Sequence, residues 1–207
     1  MLRKILIALA AVIVVLLVVI ATRPGTYRVE RSTRIAAPPD VVFALVNDFH
    51  DWDRWSPWAK LDPSMKLEIG GTSTGAGTGA TYHWVGNDKV GEGKMLITDS
   101  RPGQKVAIRL EFLRPMAQVN QIDFTFRPET AGTQVNWAMT GENNFMGKAF
   151  SLFADMDAMI GKDFEKGLAG MRTAAETEVK RRAEATAAAT STPPASPNVT
   201  EPAEPAK

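Results

Sequence analysis

Side chains able to carry chemistry are sparse in this sequence, and the densest group of them lies at residues 48–53. Asp48, His50, Asp51 and Asp53 bring carboxylate oxygens and an imidazole together within six residues, and divalent metals use both ligand types. Their spacing matches no established metal-binding motif. Polar groups at the end of a helix also serve as its cap by bonding free backbone groups. We therefore predict no metal site here and no cofactor.

The remaining reactive groups exclude several classes of function. The chain has no cysteine, and its two histidines are His50 and His83, so thiolate zinc sites, iron–sulfur clusters and cysteine nucleophiles are excluded. His83 alternates with Tyr82 and Trp84 and is expected on the outer surface of a strand. Lys and Arg number 24 against 23 Asp and Glu, so the net charge is +1. No broad basic surface is available for nucleic acid, which we exclude as a partner.

The elements that position these groups follow from hydrophobic periodicity. Residues 27–35 predict a first strand, and Pro39 begins a short helix whose apolar positions continue to Phe49. Between residues 82 and 139, apolar and polar residues alternate in several segments, which indicates antiparallel strands joined by short turns. From about Met146 to Arg182, apolar residues recur every three or four positions and predict one long helix with a single apolar stripe. The layout is α+β.

The inward faces of these elements carry the candidate ligand-binding residues, which are aromatic, methionine and aliphatic side chains. They are Trp55, Tyr82, Trp84, Ile108, Leu110, Phe124, Trp137, Met139, Phe153, Met156 and Ile160. Such rows of side chains form either a solid core or the wall of an apolar pocket. Catalysis would need acids, bases or hydrogen-bond donors facing the same interior. We identify no such set and predict no catalytic residue.

Three glycines interrupt the apolar stripe of the terminal helix. Gly161, Gly167 and Gly170 each lower helix stability by about 1 kcal/mol relative to alanine. Glycine at such positions indicates either a close approach of the helix backbone to the sheet or space left for another molecule.

Residues 1–22 form a separate segment with 17 consecutive apolar residues from Ile5 to Ala21. As a helix this run is about 25 Å long, slightly less than the ~30 Å hydrocarbon core of a bilayer. Arg3, Lys4 and Arg23 flank the run and can extend to the head groups. A cleaved signal peptide is the alternative, but its apolar region usually has about 7–15 residues. We predict a single-pass membrane anchor at residues 5–21, with the membrane as a partner.

The orientation of this anchor depends on two opposing rules. Four arginines between residues 23 and 34 outnumber Arg3 and Lys4, and the positive-inside rule then favours a cytoplasmic domain. A short basic N-terminus ahead of a large domain, however, commonly places that domain outside. We expect the domain on the periplasmic or extracytoplasmic side of the membrane.

Composition sets the other boundary of the domain. Residues 183–207 contain eight alanines, five prolines and no aromatic residue. This segment cannot bury enough apolar surface to offset the entropy lost on ordering. We predict a disordered tail over residues 183–207 and one domain over residues 23–182.

The order and spacing of several segments match a known family. These segments are Arg31–Thr33, Pro38–Phe43, Asp48–Phe49 and Trp52–Trp58, followed by residues 82–87, 90–93, 132–137 and 159–168. Over residues 26–180 the chain resembles the START-like group, also called SRPBCC, which includes the polyketide cyclases and dehydrases. The resemblance implies the helix-grip fold, in which a curved antiparallel sheet wraps around a long C-terminal helix. It also implies that an apolar or amphipathic molecule binds between the two.

These observations lead us to expect a membrane-anchored module that binds a hydrophobic or amphipathic, lipid-like molecule between sheet and helix. Two alternatives stay open: an enzyme of the cyclase/dehydrase type, and an interaction domain at the membrane that holds no ligand. A cavity-facing acid, base or oxyanion donor would favour the enzyme. A solid interior together with an exposed apolar patch would favour the interaction domain.

Overall fold

One seven-stranded sheet and four α-helices are formed within residues 1–190, the part of the chain that the computed structural model describes. The helices are α1 (Leu2–Thr22), α2 (Pro39–Asn47), α3 (Phe145–Phe150) and α4 (Met156–Thr190), and a 3-10 helix spans Phe49–Arg54. The strands are β1 (Thr26–Ile35), β2 (Lys66–Gly70), β3 (Thr81–Val85), β4 (Glu92–Arg101), β5 (Lys105–Arg114), β6 (Gln118–Glu129) and β7 (Gly132–Glu142). Residues 191–207, which make up most of the predicted tail, lie outside the described residues.

The sheet is antiparallel throughout, with the strand order β1-β7-β6-β5-β4-β3-β2. From β2 to β7, each strand pairs with the next one in the chain. Strand β1 pairs with β7 and forms the edge of the sheet opposite β2. The β4–β5 pairing has two register shifts, one with the extra residue Leu113 on β5 and one with the extra residue Thr98 on β4, and such bulges bend the strands that carry them. Helices α2 and α4 cover one face of the sheet. The predicted α+β helix-grip fold is confirmed.

The glycines of α4 let the helix backbone lie directly on its neighbours. A Cβ atom on Gly167 would lie 2.7 Å from the ring of Trp137, and one on Gly170 would lie 2.7 Å from the carbonyl oxygen of Trp55. Neither contact is compatible with a larger side chain unless its surroundings move. Of the two explanations for these glycines, the structure supports close approach.

The predicted single helix after residue 146 is divided into α3 and α4. The side chain of Asn144 accepts a hydrogen bond from the Gly147 N–H and caps α3, whereas Asp155 accepts from the Ala158 N–H at the start of α4. Side-chain caps of this kind start a helix. Helix α4 then continues to Thr190, eight residues past the predicted domain boundary at 182, because its last turns are rich in alanine, the residue with the highest helix propensity.

Helix α1 is long and apolar enough to cross a membrane, as its length and composition show. Every residue in it except Ile20 is exposed. This helix is consistent with either an anchor or a signal sequence. Three residues, Arg23 to Gly25, separate it from β1.

Candidate functional site

The middle of the space between sheet and α4 is filled by side chains. Eight of the predicted ligand-binding residues are buried in one continuous core: Trp55, Tyr82, Trp84, Ile108, Leu110, Phe124, Trp137 and Met139. The ring of Trp137 stacks on Phe164 of α4 with a centroid distance of 3.9 Å, and on Phe124 with a distance of 4.8 Å. The indole N–H of Trp55 donates to the Leu45 carbonyl at 2.7 Å, so this ring is held in place by α2.

An open pocket lies at one end of this core, beside the beginning of α4. Its volume is about 580 Å³, and its walls are residues 27–29 of β1, Asn143, the connection between α3 and α4 at residues 151–155, and the first two residues of α4. Two further predicted ligand-binding residues, Phe153 and Met156, belong to this lining. The last one, Ile160, is half-buried one turn further along α4 and packs against the core. The eleven predicted residues therefore divide between a packed core and the edge of a pocket.

A polar pair stands behind the pocket wall. The Tyr27 hydroxyl donates to the Asn120 side-chain oxygen at 2.6 Å. This bond passes over Gly141, where a Cβ atom would lie 2.7 Å from the tyrosine hydroxyl and closer still to the amide oxygen. Burial raises the pKa of Tyr27, so its phenol stays protonated at neutral pH and acts as a hydrogen-bond donor.

Asn120 has more hydrogen-bonding capacity than its surroundings satisfy. It is 3% exposed, and its amide nitrogen has no hydrogen-bond partner within residues 1–190. Exchanging the amide oxygen and nitrogen would leave the oxygen without a partner instead, so either orientation leaves a buried polar atom unsatisfied. Such an atom costs about 1–3 kcal/mol. The indole N–H of Trp137 is also buried without a partner among the described residues.

A charged clamp closes the side of the pocket along α4. The Arg31 guanidinium donates to both carboxylate oxygens of Asp157, at 3.0 and 2.9 Å, and to Glu165 at 3.0 Å. It lies over Gly161, where any Cβ atom would overlap it. The hydrogen bonds from Arg31 lower the pKa of Asp157. Arg31 thus joins the edge strand β1 to the first three turns of α4.

Sequence reasoning missed Tyr27, Arg31 and Asn120 as inward-facing polar groups. Asn120 continues the alternation of Ile122 and Phe124 on β6 and, like them, is buried, so the pattern already placed it on the inner face. Tyr27 and Arg31 alternate with exposed residues on β1 in the same way. These three residues add polar groups to the apolar inward faces that the sequence predicted.

The acidic group at residues 48–53 is arranged as a cap. Asp48 accepts a hydrogen bond from the His50 backbone N–H at 2.9 Å and contacts the His50 ring nitrogen at 2.8 Å, while Asp51 pairs with Arg54. Within residues 1–190, no group of three or more His, Cys, Asp or Glu side chains is placed to hold a metal ion.

His83 lies on the outer surface of the sheet, as predicted. It stands 3.6 Å from Glu92 beside a depression of about 610 Å³ that Lys94, Arg109 and Glu111 also line. Lys94 and Glu111 form an ion pair at 3.0 Å. Charges that pair with one another in this way are typical of a solvated sheet surface, and we place no site here.

A bent antiparallel sheet closed around a long C-terminal helix, with a pocket at one end, defines the helix-grip class of small-molecule-binding folds. Residues 26–176 match the family described as polyketide cyclase / dehydrase and lipid transport, and the chain belongs to this family. A comparison with curated proteins finds no match.

Solved structures with the same fold have widely different sequences. A protein of unknown function from Staphylococcus aureus is 17% identical, with a TM-score of 0.53 over 75% of this chain and 96% of its own. The Aha1 dimer from Colwellia psychrerythraea is 16% identical, with a TM-score of 0.52 over 72% of this chain and 96% of its own. The di-domain ARO/CYC StfQ from the steffimycin biosynthetic pathway is 11% identical, with a TM-score of 0.53 over 75% of this chain and 52% of its own. At these identities, the similarity establishes the fold alone.

Proposed function

We propose that this protein is a membrane-anchored module that binds a lipid-like amphipathic molecule in the pocket between β1 and the beginning of α4. The observation that carries the proposal is the pocket itself, whose lining combines the apolar side chains of Phe153 and Met156 with polar and charged residues, Tyr27, Arg28 and Asp155 among them. The pocket is open on one side and has room for a small molecule, about 580 Å³. The ligand enters the helix-grip cavity at its end, because the aromatic core occupies the middle.

The chemistry of the lining favours an amphipathic ligand over a purely apolar one. Half-buried Met156 adapts its shape to an apolar chain. The Tyr27 hydroxyl oxygen can accept a hydrogen bond from a hydroxyl of the ligand, and the unsatisfied Asn120 amide N–H behind it can donate to an oxygen atom of the ligand once side chains at the wall adjust. A hydrogen bond to that amide would remove the cost of a buried polar group without a partner. The apolar part and the polar part of the ligand would therefore both contribute to the binding free energy.

Anchoring through residues 5–21 fits this task. A poorly soluble ligand is concentrated in the bilayer, and a tether only three residues long keeps the pocket beside that supply. Tethering raises the effective concentration of the ligand without any new contact. We retain the periplasmic or extracytoplasmic side as the expected location of the domain.

A second candidate is an interaction domain without a ligand. The observation that favours it is the filled core, in which Trp137, Phe164 and Phe124 leave no room at the centre. The same experiment separates the two candidates.

The test is the recovery of a bound molecule from the full chain, purified from native membranes. We expect organic extracts of the wild-type protein to contain a lipid-like molecule at a fixed molar ratio. Met156→Trp fills the pocket and should abolish the recovery, whereas Met159→Trp should retain it, because Met159 is 55% exposed and does not line the pocket. Extracts of the wild type that contain no such molecule would favour the ligandless domain. Equal recovery from both variants would place the ligand elsewhere.

A further inference from the structure

The most exposed apolar side chains of the domain gather at one end of the sheet. Phe153 is 86% exposed, Met146 64% and Met116 63%, and no other large apolar side chain in residues 23–190 is more exposed than these three. Phe145 and Phe150 of α3 are each about half exposed beside them. We call Met116, Phe145, Met146, Phe150 and Phe153 the apolar rim.

Strand register places the members of the rim at one end of the sheet. Thr26 at the start of β1 pairs with Glu142 at the end of β7, and Asn120 near the start of β6 pairs with Gly141. The turn between β5 and β6, which contains Met116, and the segment that follows β7, which contains α3, therefore leave the sheet at the same end. Tyr27 and the pocket lie at this end too.

Helix α1 ends beside this surface. It stops at Thr22, and β1 starts at Thr26, so the three intervening residues span at most about 10 Å. The Lys148 ammonium of α3 lies 3.4 Å from the Ala21 carbonyl oxygen, and α3 packs against the end of α1. The apolar rim therefore lies next to the C-terminal end of α1.

We propose that the apolar rim inserts into the interfacial layer of the bilayer that α1 crosses, so that the mouth of the pocket opens onto lipid. This inference rests on the anchoring proposed above. Aromatic and methionine side chains partition into that layer, while Arg23 and Lys148 lie at the level of the lipid phosphates. A bilayer is the occupant because the short connection holds this face at the membrane in every copy of the chain. Phe153 belongs both to the rim and to the pocket lining and connects the two.

The absence of cysteine from the sequence allows a direct test on the full chain. Single cysteines replace Phe150 and Phe153 in the rim, Val12 in the middle of α1, and Thr130 in the exposed β6–β7 turn at the far end of the sheet. Each variant carries an environment-sensitive fluorophore and is reconstituted in vesicles of phosphatidylcholine and phosphatidylglycerol. Lipids with a spin label near the head group or deep in the chain then quench the fluorescence.

We expect the labels at 150 and 153 to be blue-shifted and quenched by the shallow spin label several-fold more than the label at 130. The label at 12 should be quenched by the deep spin label. Deep quenching at 12 with rim labels that behave like the label at 130 would overturn the rim insertion and leave the anchoring intact. Blue-shifted rim labels without lipid quenching would overturn it in favour of a protein partner or a second copy. A label at 12 that is not quenched would remove both the anchoring and this inference.

Discussion

Asn120 is the side chain that links packing to binding at the scale of single residues. It lies on the apolar face of β6 and is buried, and its one hydrogen bond, from Tyr27, uses part of its capacity. Under the proposed function, its free amide N–H is a cost in the empty protein and a hydrogen-bond donor to the ligand in the bound one.

We expect the paired substitutions Asn120→Leu and Tyr27→Phe to reduce ligand recovery while leaving the free energy of unfolding unchanged or higher. Together they remove the unsatisfied amide and the hydroxyl that donates to it, and replacing both partners of a hydrogen bond by apolar groups of similar shape is near neutral or stabilising. Denaturant titration and organic extraction of the same preparation check both parts. The control is Gln121→Leu, the neighbouring half-buried position that alternates with Asn120 on β6. A loss of stability with full ligand recovery would assign Asn120 a purely structural role.

Trp137 is expected to be structural. It is 1% exposed and stacked between Phe124 and Phe164, so Trp137→Ala should lower the free energy of unfolding by about 3–5 kcal/mol. Denaturant titration of the full chain in detergent micelles measures the change. A small loss of stability accompanied by altered ligand recovery would show instead that Trp137 forms part of a ligand-binding wall.

At the scale of elements, the periodicity of apolar residues was enough to predict the inward faces of β3 to β7 and α4. It could not find the break between α3 and α4, because Phe150, Phe153 and Met156 keep a helical spacing across it. The division comes from the caps at Asn144 and Asp155, which are single side chains outside the apolar pattern. Phe153 was expected to face inward and is instead exposed.

The clamp between β1 and α4 gives a pH dependence. Arg31 holds the pKa of Asp157 below its usual value of 3.8. A carboxylate with a lowered pKa in the folded state stabilises the protein above its unfolded pKa, and this contribution is lost as the pH falls through the folded value.

We therefore expect Arg31→Met to lower the melting temperature at pH 7. The difference from the wild type should begin to shrink as the pH falls below about 4, near the pKa of an unfolded aspartate, and should be lost at the lower pH where Asp157 is protonated in the folded state. Thermal melts of both proteins between pH 7 and pH 2 measure this difference. Arg28→Met is the control, since Arg28 pairs with Glu30 of its own strand and both side chains are largely exposed. A difference from the wild type that is constant with pH would mean that Arg31 acts through packing alone.

At the scale of the whole molecule, sequence supported the fold more firmly than the pocket. The helix-grip layout needs only alternation, turns and one long helix, all of which are local patterns. The pocket depends on Tyr27 and Asn120, which are 93 residues apart in the chain and meet because β1 and β6 both pair with β7. Periodicity places each of the two residues on an inner face, but strand order cannot be derived from it, so their meeting could not be predicted.

The direction of α4 has a mechanical consequence. The helix starts beside Arg31 and the pocket, and further along Arg182 reaches Asp40 of α2, beyond the opposite end of β1. Its 35 residues extend over about 52 Å. Arg31 fixes the first turns of α4 to β1, and Arg182 fixes a later turn to α2. For a rod of this length, a rotation of about 10° about its first residue would displace Thr190 by about 9 Å, so these two contacts set the position of the far end of α4.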